Sequence, residues 1–349
     1  MSVDRLEVRV SITKLLLALM IVIVPLSILG LVLTERSDKT LDNNVGSNFK
    51  AMAQLYANQV TQFVHERVID TGVLASNPAV VNAVQNAGKT KGSLDANASA
   101  ILHQQKTMDP RYLSIVVTDS NANVVASSQR PSQVSYAQDA QWQSVYNNGQ
   151  GTTRISDILD DSLAKANYVN IGVPVADQTG HTIGVLTAAV NINEVLTPFR
   201  QDQIGSGARA SLVNDDGVVV SGPNADVFAR VKSPEFDFVR DSLGTNQGSQ
   251  TGWVTADLAR GPYVVGYAST GLKQHFPNLG WVVTVSEDEH VAAAPVRLLE
   301  RFAIGMVVLA LFMLTLLAVY YYLHRTQRFS YIDEETSSDQ PPRAAAASV

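Results

Sequence analysis

The stretch Tyr168–Ile192, YVNIGVPVADQTGHTIGVLTAAVNI, decides how the chain folds. Two runs rich in β-branched residues flank the polar turn Gln178-Thr179-Gly180, the pattern of an antiparallel hairpin with one face to bury. Upstream, LSIVVTDSNANVVASS (Leu113–Ser128) is another pair of apolar runs about a polar turn. The same order then recurs. ASLVNDDGVVVSGP (Ala210–Pro223) turns at Asp216-Gly217, and YVVGYASTGLKQHFPNLGWVVTVS (Tyr263–Ser286) is a hairpin with a longer loop around His275–Gly280. Each half therefore reads hairpin, variable insert, hairpin. Two hairpins make an antiparallel sheet that short helices can cover. The repeated order predicts two tandem α+β modules, with one large sheet as the less favoured alternative.

Outward from the modules, Leu41, Val45, Phe49, Met52, Tyr56, Val60 and Phe63 recur at steps of three and four, the period of one apolar stripe on a helix. No proline interrupts this run before Pro78, and Asn77-Pro78 marks its break. The spacing predicts a stalk helix over residues 37–76, packing on its own modules and on a second copy of the chain.

Two uncharged apolar runs lie further out. Leu15–Leu33 is LLLALMIVIVPLSILGLVL, and Phe302–Leu323 is FAIGMVVLALFMLTLLAVYYYL, ending in three tyrosines suited to a membrane interface. Both read as transmembrane helices. Arg5, Arg9 and Lys14 precede the first, and Arg325 and Arg328 follow the second, so both termini are expected in the cytoplasm. Between them, residues 34–301 carry the whole net charge of −6. The predicted organisation is a cytoplasmic N-terminus (1–14), a first span (15–33), an extracytoplasmic region (34–301), a second span (302–323) and a disordered cytoplasmic tail (324–349). Within the extracytoplasmic region the stalk is followed by a distal module (77–200) and a membrane-proximal module (201–295). The expected setting is a bacterial inner membrane with the central region periplasmic or extracellular.

Composition removes several functions. The chain has no cysteine, which excludes disulfides, thiolate metal sites and cysteine nucleophiles. Lys plus Arg number 26 against 32 Asp plus Glu, a mild acidity that argues against nucleic acid as a partner. His65, His103, His181, His275, His290 and His324 include no pair at helical metal-binding spacing. Gly205-Ser206-Gly207 lacks the third glycine of a dinucleotide loop. Asp157, Asp160 and Asp161 form a small acidic cluster without the closing Glu of a calcium loop, so a solvated loop or the rim of a pocket is expected there. No nucleophile–base set is apparent, so neither an enzyme nor a cofactor or metal is expected.

Taken with the order of span, long helix, two modules and span, three stretches carry a family resemblance. They are QWQSVYNNGQGTTRISDI, NIGVPVADQTGHTIGVLTAAVNINEV and GPYVVGYASTGLKQHFPNLGWVVTVSEDEHV. They resemble the Trp-containing helix with its Ser-Asp strand, the Val-Pro-Val hairpin and the closing Gly-Trp strand of the double Cache (tandem PAS-like) sensor ectodomain of bacterial chemoreceptors and sensor kinases. The resemblance covers roughly residues 35–300. It implies a fold of two PAS-like antiparallel-sheet modules on a stalk helix, here flanked by two transmembrane helices. It also implies a small-molecule pocket in the distal module, walled by the sheet and the segment around Trp142.

In the amino-acid-binding branch of that family an Arg two residues before the Trp grips the ligand carboxylate, a Tyr follows the Trp, and an Asp on the last hairpin strand receives the ammonium. Here those places hold Ala140, Gln143 and Ala189, so a free α-amino acid is not the expected ligand. The remaining candidates are Trp142 and Tyr146, one helical turn apart, with Arg130, Arg154, Tyr136, Tyr168 and Asn170 from adjoining segments. For four of them a plainer role is open: Trp142 as core filler, Arg154 as the surface partner of Asp157, Tyr168 and Asn170 on the outer strand face. No methyl-accepting coiled coil, kinase or cyclase pattern follows the second span. The expected protein is thus a homodimeric membrane sensor for an unknown small molecule, acting through a separate cytoplasmic or membrane signalling partner. A non-enzymatic adaptor that binds another protein, or a receptor remnant, is the alternative.

Overall fold

The computed structural model describes residues 12–89, 92–161, 164–201, 204, 207–223, 230–245, 250–292 and 294, with scattered helical positions between 304 and 322. Side chains are described from Asn43 onward. The chain divides into two compact units, Asn43–Ala292 and a second made of Met1–Asp42 with Ala293–Val349. Among the described residues no helix is long and apolar enough to cross a membrane. The side chains of Leu15–Leu33 and several positions of Phe302–Leu323 lie outside the described residues, as do the flanks 1–11 and 324–349.

Helix α1 (Ile12–Ala75) has no break at Pro25, and it starts well before the residue-37 boundary that periodicity suggests. It ends at Ala75. Asn77 then caps α2 (Pro78–Gln85) by accepting a hydrogen bond from the Ala79 N–H at 2.9 Å, with Pro78 at the first helical position, where its missing N–H is harmless. Asp95 caps α3 (Ala96–Met108) in the same way, accepting from Ala98 N–H at 2.8 Å.

Strands β1 (Tyr112–Asp119) and β2 (Val124–Ser127) form the first hairpin. Helix α4 (Ala140–Tyr146) leads to the short strands β3 (Arg154–Ile155) and β4 (Leu159–Asp161). The long hairpin β5 (Ala166–Ala176) and β6 (Thr182–Asn191) follows, then α5 (Asn193–Leu196). This first sheet has the order β2-β1-β6-β5-β3, with β4 also on β5. The second half holds β7 (Arg209–Val213), β8 (Val219–Ser221), α6 (Phe236–Thr245), β9 (Thr251–Leu258), β10 (Gly261–Ser269), β11 (Val282–Asp288) and α7 (Glu289–Ala292). Its sheet runs β8-β7-β11-β10-β9. Both sheets are antiparallel throughout and repeat one topology: the last strand of the second hairpin pairs with the first strand of the first. Strand β9, which pairs with β10 along its whole length, and the short strands β3 and β4 on β5 are the strands that the hairpin reading did not include.

Helix α1 carries the core shared by both sheets. Phe49, Ala53, Ala57, Val60, Phe63 and Val64 are buried from it in one cluster with Ile115, Val117, Leu186 and Val190 of the first sheet and Val264, Val283 and Val285 of the second. Of the predicted stripe, Val45, Met52 and Tyr56 are partly buried against that cluster. Two contacts fix the register. A Cβ on Gly266 of β10 would lie 2.2 Å from the Phe49 carbonyl carbon, so only glycine lets the helix backbone rest on the strand. Thr61 Oγ1 donates to Thr270 O at 2.8 Å.

At the other end Arg67, buried on α1, donates to the Asp109 carboxylate and pairs with Asp70 at 3.0 Å. Arg111 donates to Asp109 from its side chain at 2.8 Å and from its backbone at 3.1 Å. Burial pushes the Asp109 carboxyl up, but the Arg111 hydrogen bonds and the charges of Arg111 and Arg67 outweigh this and hold it below the ordinary carboxylate range. The network ties α1 to the start of β1.

Two outcomes test this frame. Gly266→Ala is expected to destabilise the protein by about 2 kcal/mol or more in chemical unfolding, because helix backbone cannot yield as a side chain tip would; an unchanged midpoint would mean that α1 does not lie on β10. Asp109→Asn removes one of the carboxylates that pair Arg67, leaving Asp70, and is expected to lower stability by about 1–2 kcal/mol near neutral pH. A depressed folded-state pKa contributes stability above the unfolded value, and that contribution is lost as pH falls through the folded one. The gap between wild type and variant in pH-dependent thermal unfolding should therefore be flat above about pH 5 and close below about pH 4.

Candidate ligand-binding site in the first module

Strand alternation sets the site. On β1, Ile115 and Val117 point into the core with α1, which turns Ser114 and Val116 to the opposite face. In register with them lie Ala189 and Thr187 on β6, and Asn170 on β5 stands opposite Ala189, with Tyr168 two residues before it. Helix α4 and the segment from Gln129 to Asp139 cover this second face. Between cover and sheet is a cavity of about 420 Å³. Its walls include Ser114, Thr187, Ala189, Tyr168 and Asn170 from the sheet, and Gln129, Gln133, Tyr136, Asp139, Gln141, Trp142 and Asp161 around it.

The cover is held by specific bonds. Asp139 caps α4, accepting from the Trp142 N–H at 2.8 Å. Gln141 Nε2 donates to Asn170 O at 2.7 Å, joining α4 to β5. Trp142 Nε1 donates to Thr118 Oγ1 at 2.7 Å, and that hydroxyl donates to Val185 O at 3.1 Å. Val145, fully buried, sits where a Cβ on Gly172 would be, 2.5 Å from its Cγ2, so the helix lies close on the sheet. The Tyr168 phenol is pushed above its ordinary pKa by burial and then by the charges of Asp161 and Asp160, and so stays protonated at neutral pH.

Four of the residues singled out from sequence share the cavity wall: Tyr136, Trp142, Tyr168 and Asn170. Three do not. Tyr146, one turn along α4, stacks behind Trp142 with ring centroids 5.0 Å apart and planes 16° apart. Arg130 is exposed, one residue beyond the lining Gln129. Arg154 is at the start of β3 opposite Gly172, where Val145 of α4 packs, rather than at the cavity. Two carboxylates, Asp139 and Asp161, were not among those candidates. A helix N-cap signal at Asp139 and the acidic cluster that contains Asp161 are their traces in the sequence. Of the three positions at which the family resemblance implies an amino-acid clamp, Ala189 is in the wall and Ala140 and Gln143 are not. The described wall residues include no Arg, Lys or His. Among the described residues no group of three or more His, Asp or Glu is placed to hold a metal ion.

Two sheets of one topology, hung on a common helix, make this a tandem PAS-like protein. A family model described as Cache domain, in its double form, matches residues 37–296, and the chain belongs to that family. No curated protein matches it in sequence. Among solved structures it shares the fold of the ligand-binding domain of Mlp24 with asparagine (TM-score 0.51, 17% identity, 74% of this chain and 99% of that one). Others are the sensory domain of the Campylobacter jejuni chemoreceptor Tlp3 with isoleucine (0.51, 12%, 73% and 97%) and the ligand-binding domain of the Pseudomonas aeruginosa PAO1 amino acid chemoreceptor PctC with GABA (0.50, 14%, 68% and 97%). At these identities the likeness is one of fold.

Replacing the hydroxyl that receives the indole tests the cover. Thr118→Val keeps the shape but leaves Trp142 Nε1–H without that acceptor, an expected loss of about 1–2 kcal/mol in thermal unfolding. No change would place the indole elsewhere.

Proposed function

We propose that this chain is a membrane-anchored sensor whose first module, the distal one, binds a small molecule in the cavity under α4 and passes a conformational change to a signalling partner. The observation that carries this reading is the cavity itself: enclosed on one side by a sheet whose other face is core, with polar and aromatic groups converging on it. Ligand bound between α4 and the sheet would favour one of two arrangements of the module, by no more than its differential affinity for them. Strand β1 contributes Ser114 to the wall and is tied at its start to α1 through the ion pair of Asp109 with Arg67, which gives the shift a route into the stalk.

The apolar runs Leu15–Leu33 and Phe302–Leu323 support anchoring by two spans, with residues 34–301 outside and both termini in the cytoplasm. Exposed Ile69 and Val73 on α1 support packing of two stalks in a homodimer. The second module, with Trp281 and Tyr267 buried in its core, is read as the relay between the distal module and the membrane. No catalytic role is assigned.

Two experiments check the reading. Protease added to intact spheroplasts should digest the region 34–301 and spare both ends; protection of that region would overturn the topology. Thermal unfolding of the full detergent-solubilised chain against a panel of small polar metabolites should give at least one stabilising compound, by about 2.7 kcal/mol at 100 times its Kd. Trp142→Ala should abolish that shift. A shift that survives the substitution removes this cavity from the function, and no shift by any compound favours an adaptor that binds protein.

A further inference from the structure

No two histidines of this chain stand at metal-binding spacing on one helix, but the fold makes a pair from residues far apart in sequence. His65 lies on α1. His275 follows the 3₁₀ turn Leu272–Gln274 in the connection between β10 and β11. Their ring centroids are 6.3 Å apart, with the planes at 87°. Both side chains are exposed, yet their backbones are fixed. Phe63, Val64 and Arg67 are buried around His65, and Leu272, Phe276 and Leu279 around His275. The N–H groups of His275 and Phe276 both donate to Leu272 O, at 3.0 and 2.8 Å, which closes the turn. One helical turn before His65, Thr61 Oγ1 donates to Thr270 O at 2.8 Å, so helix and connection are bound together beside the pair.

The ring nitrogens of this pair are not engaged elsewhere. His103 Nδ1 is in hydrogen-bond contact with Ser128 O at 3.0 Å, and His181 Nδ1 with Thr179 Oγ1 at 2.9 Å. Among the described residues the rings of His65 and His275 make aromatic contacts only: with each other and, for His275, with Phe276 at 6.4 Å. The cations next to them in sequence are balanced, Arg67 by Asp70 and Asp109 and Lys273 by Asp215, so no unpaired positive charge from these neighbours opposes another cation.

An imidazole nitrogen is a ligand for zinc, nickel and copper, at about 2.0–2.1 Å for zinc. A metal in line with that nitrogen lies about 3 Å from the ring centre, so two rings that share a tetrahedral ion have centres about 5 Å apart. Rotation of two exposed side chains closes the remaining ~1 Å with both backbones in place.

We propose that His65 and His275 form an open site for a divalent transition metal ion, which ties the stalk helix to the connection between β10 and β11. Two imidazoles leave about two tetrahedral positions to water or to an outside donor, so the ion is exchangeable and the site responds to free metal. The ion binds both rings only where they meet, and it therefore favours the docked position of α1 on the second module. Neither histidine lines the cavity of the first module, and the two sites stand independently.

The test uses the full chain in detergent, freed of metal with EDTA and then titrated with ZnCl2 or NiCl2 alone, with binding followed by calorimetry and thermal unfolding. MgCl2, a hard cation that prefers oxygen ligands, is the control. Zinc or nickel should bind and raise the unfolding temperature, magnesium should not, and EDTA should reverse the rise. His65→Ala and His275→Ala should each weaken binding at least tenfold while unfolding without metal within about 2 °C of the wild type. The double variant should bind no more weakly than either single one, because one ion uses both rings. Equal affinity in the wild type and both single variants identifies an adventitious ion only and overturns the proposal. A loss in one single variant but not the other overturns it too, since the ion then does not bridge the pair, as does the failure of both metals to bind.

Discussion

The core that both sheets share is built on one helix face. The buried stripe of α1 from Phe49 to Val64 packs under the first sheet and under one face of the second, while the other face of the second sheet closes a separate cluster with Phe236 and Val239 of α6. A shared core of this kind resists independent movement, because packed interiors have few voids to absorb a shift. The contact is tightest at Gly266, where helix backbone meets strand backbone with no side chain between. A lever resting on such a point can tilt or slide along its axis far more easily than it can lift away.

The same geometry explains why a cavity exists in the first module. The sheet has two faces, and α1 with α2 and α3 occupies only one. The other face is covered by a seven-residue helix and an irregular segment, which reach the sheet through Val145 on Gly172 at one end and the Trp142–Thr118 hydrogen bond at the other. Cover of that size cannot fill the face completely, and the space left is bordered by the side chains of alternate strand residues. Strand β1 therefore has one face in the cavity and the other in the stalk's core. Movement at Ser114 and movement at Ile115 are movements of the same backbone.

Much of this was legible in the sequence. The hairpins, their repeated order, the break at Asn77-Pro78 and the stalk's periodicity rest on local rules of turns and alternation, and those rules hold wherever one face of an element is buried. Strand β9 escaped because TGWVTADL has a glycine and three polar residues in an edge position, where one side of the ladder is unpaired and alternation is weak. The wall of the cavity was legible only in part. Trp142 and Tyr168 stand out as large residues in the right segments, but their neighbours in space are set by the register of β1 against β6 and by where α4 lands. Arg130 and Arg154 were plausible from proximity in sequence alone. One lies a single residue beyond the wall and the other across a packed helix, differences that chain order does not encode. Asp161 was legible only as part of an acidic cluster at a solvated loop or a pocket rim, and Asp139 went unselected because a capping Asp has a sufficient local explanation.

The contrast between fold and wall also bears on how far family membership reaches. The backbone of a Cache module is maintained by core positions such as Ile115, Leu186 and Val190, which never meet a ligand. The groups that wall the cavity occupy the opposite face, where a substitution changes charge without disturbing that packing. Ala189 illustrates this: it is largely buried and in register between Ser114 and Asn170, and a methyl group there fits the strand as well as a carboxylate would. Charge on this face can therefore change at little structural expense, whereas Gly266 admits no side chain against the helix backbone.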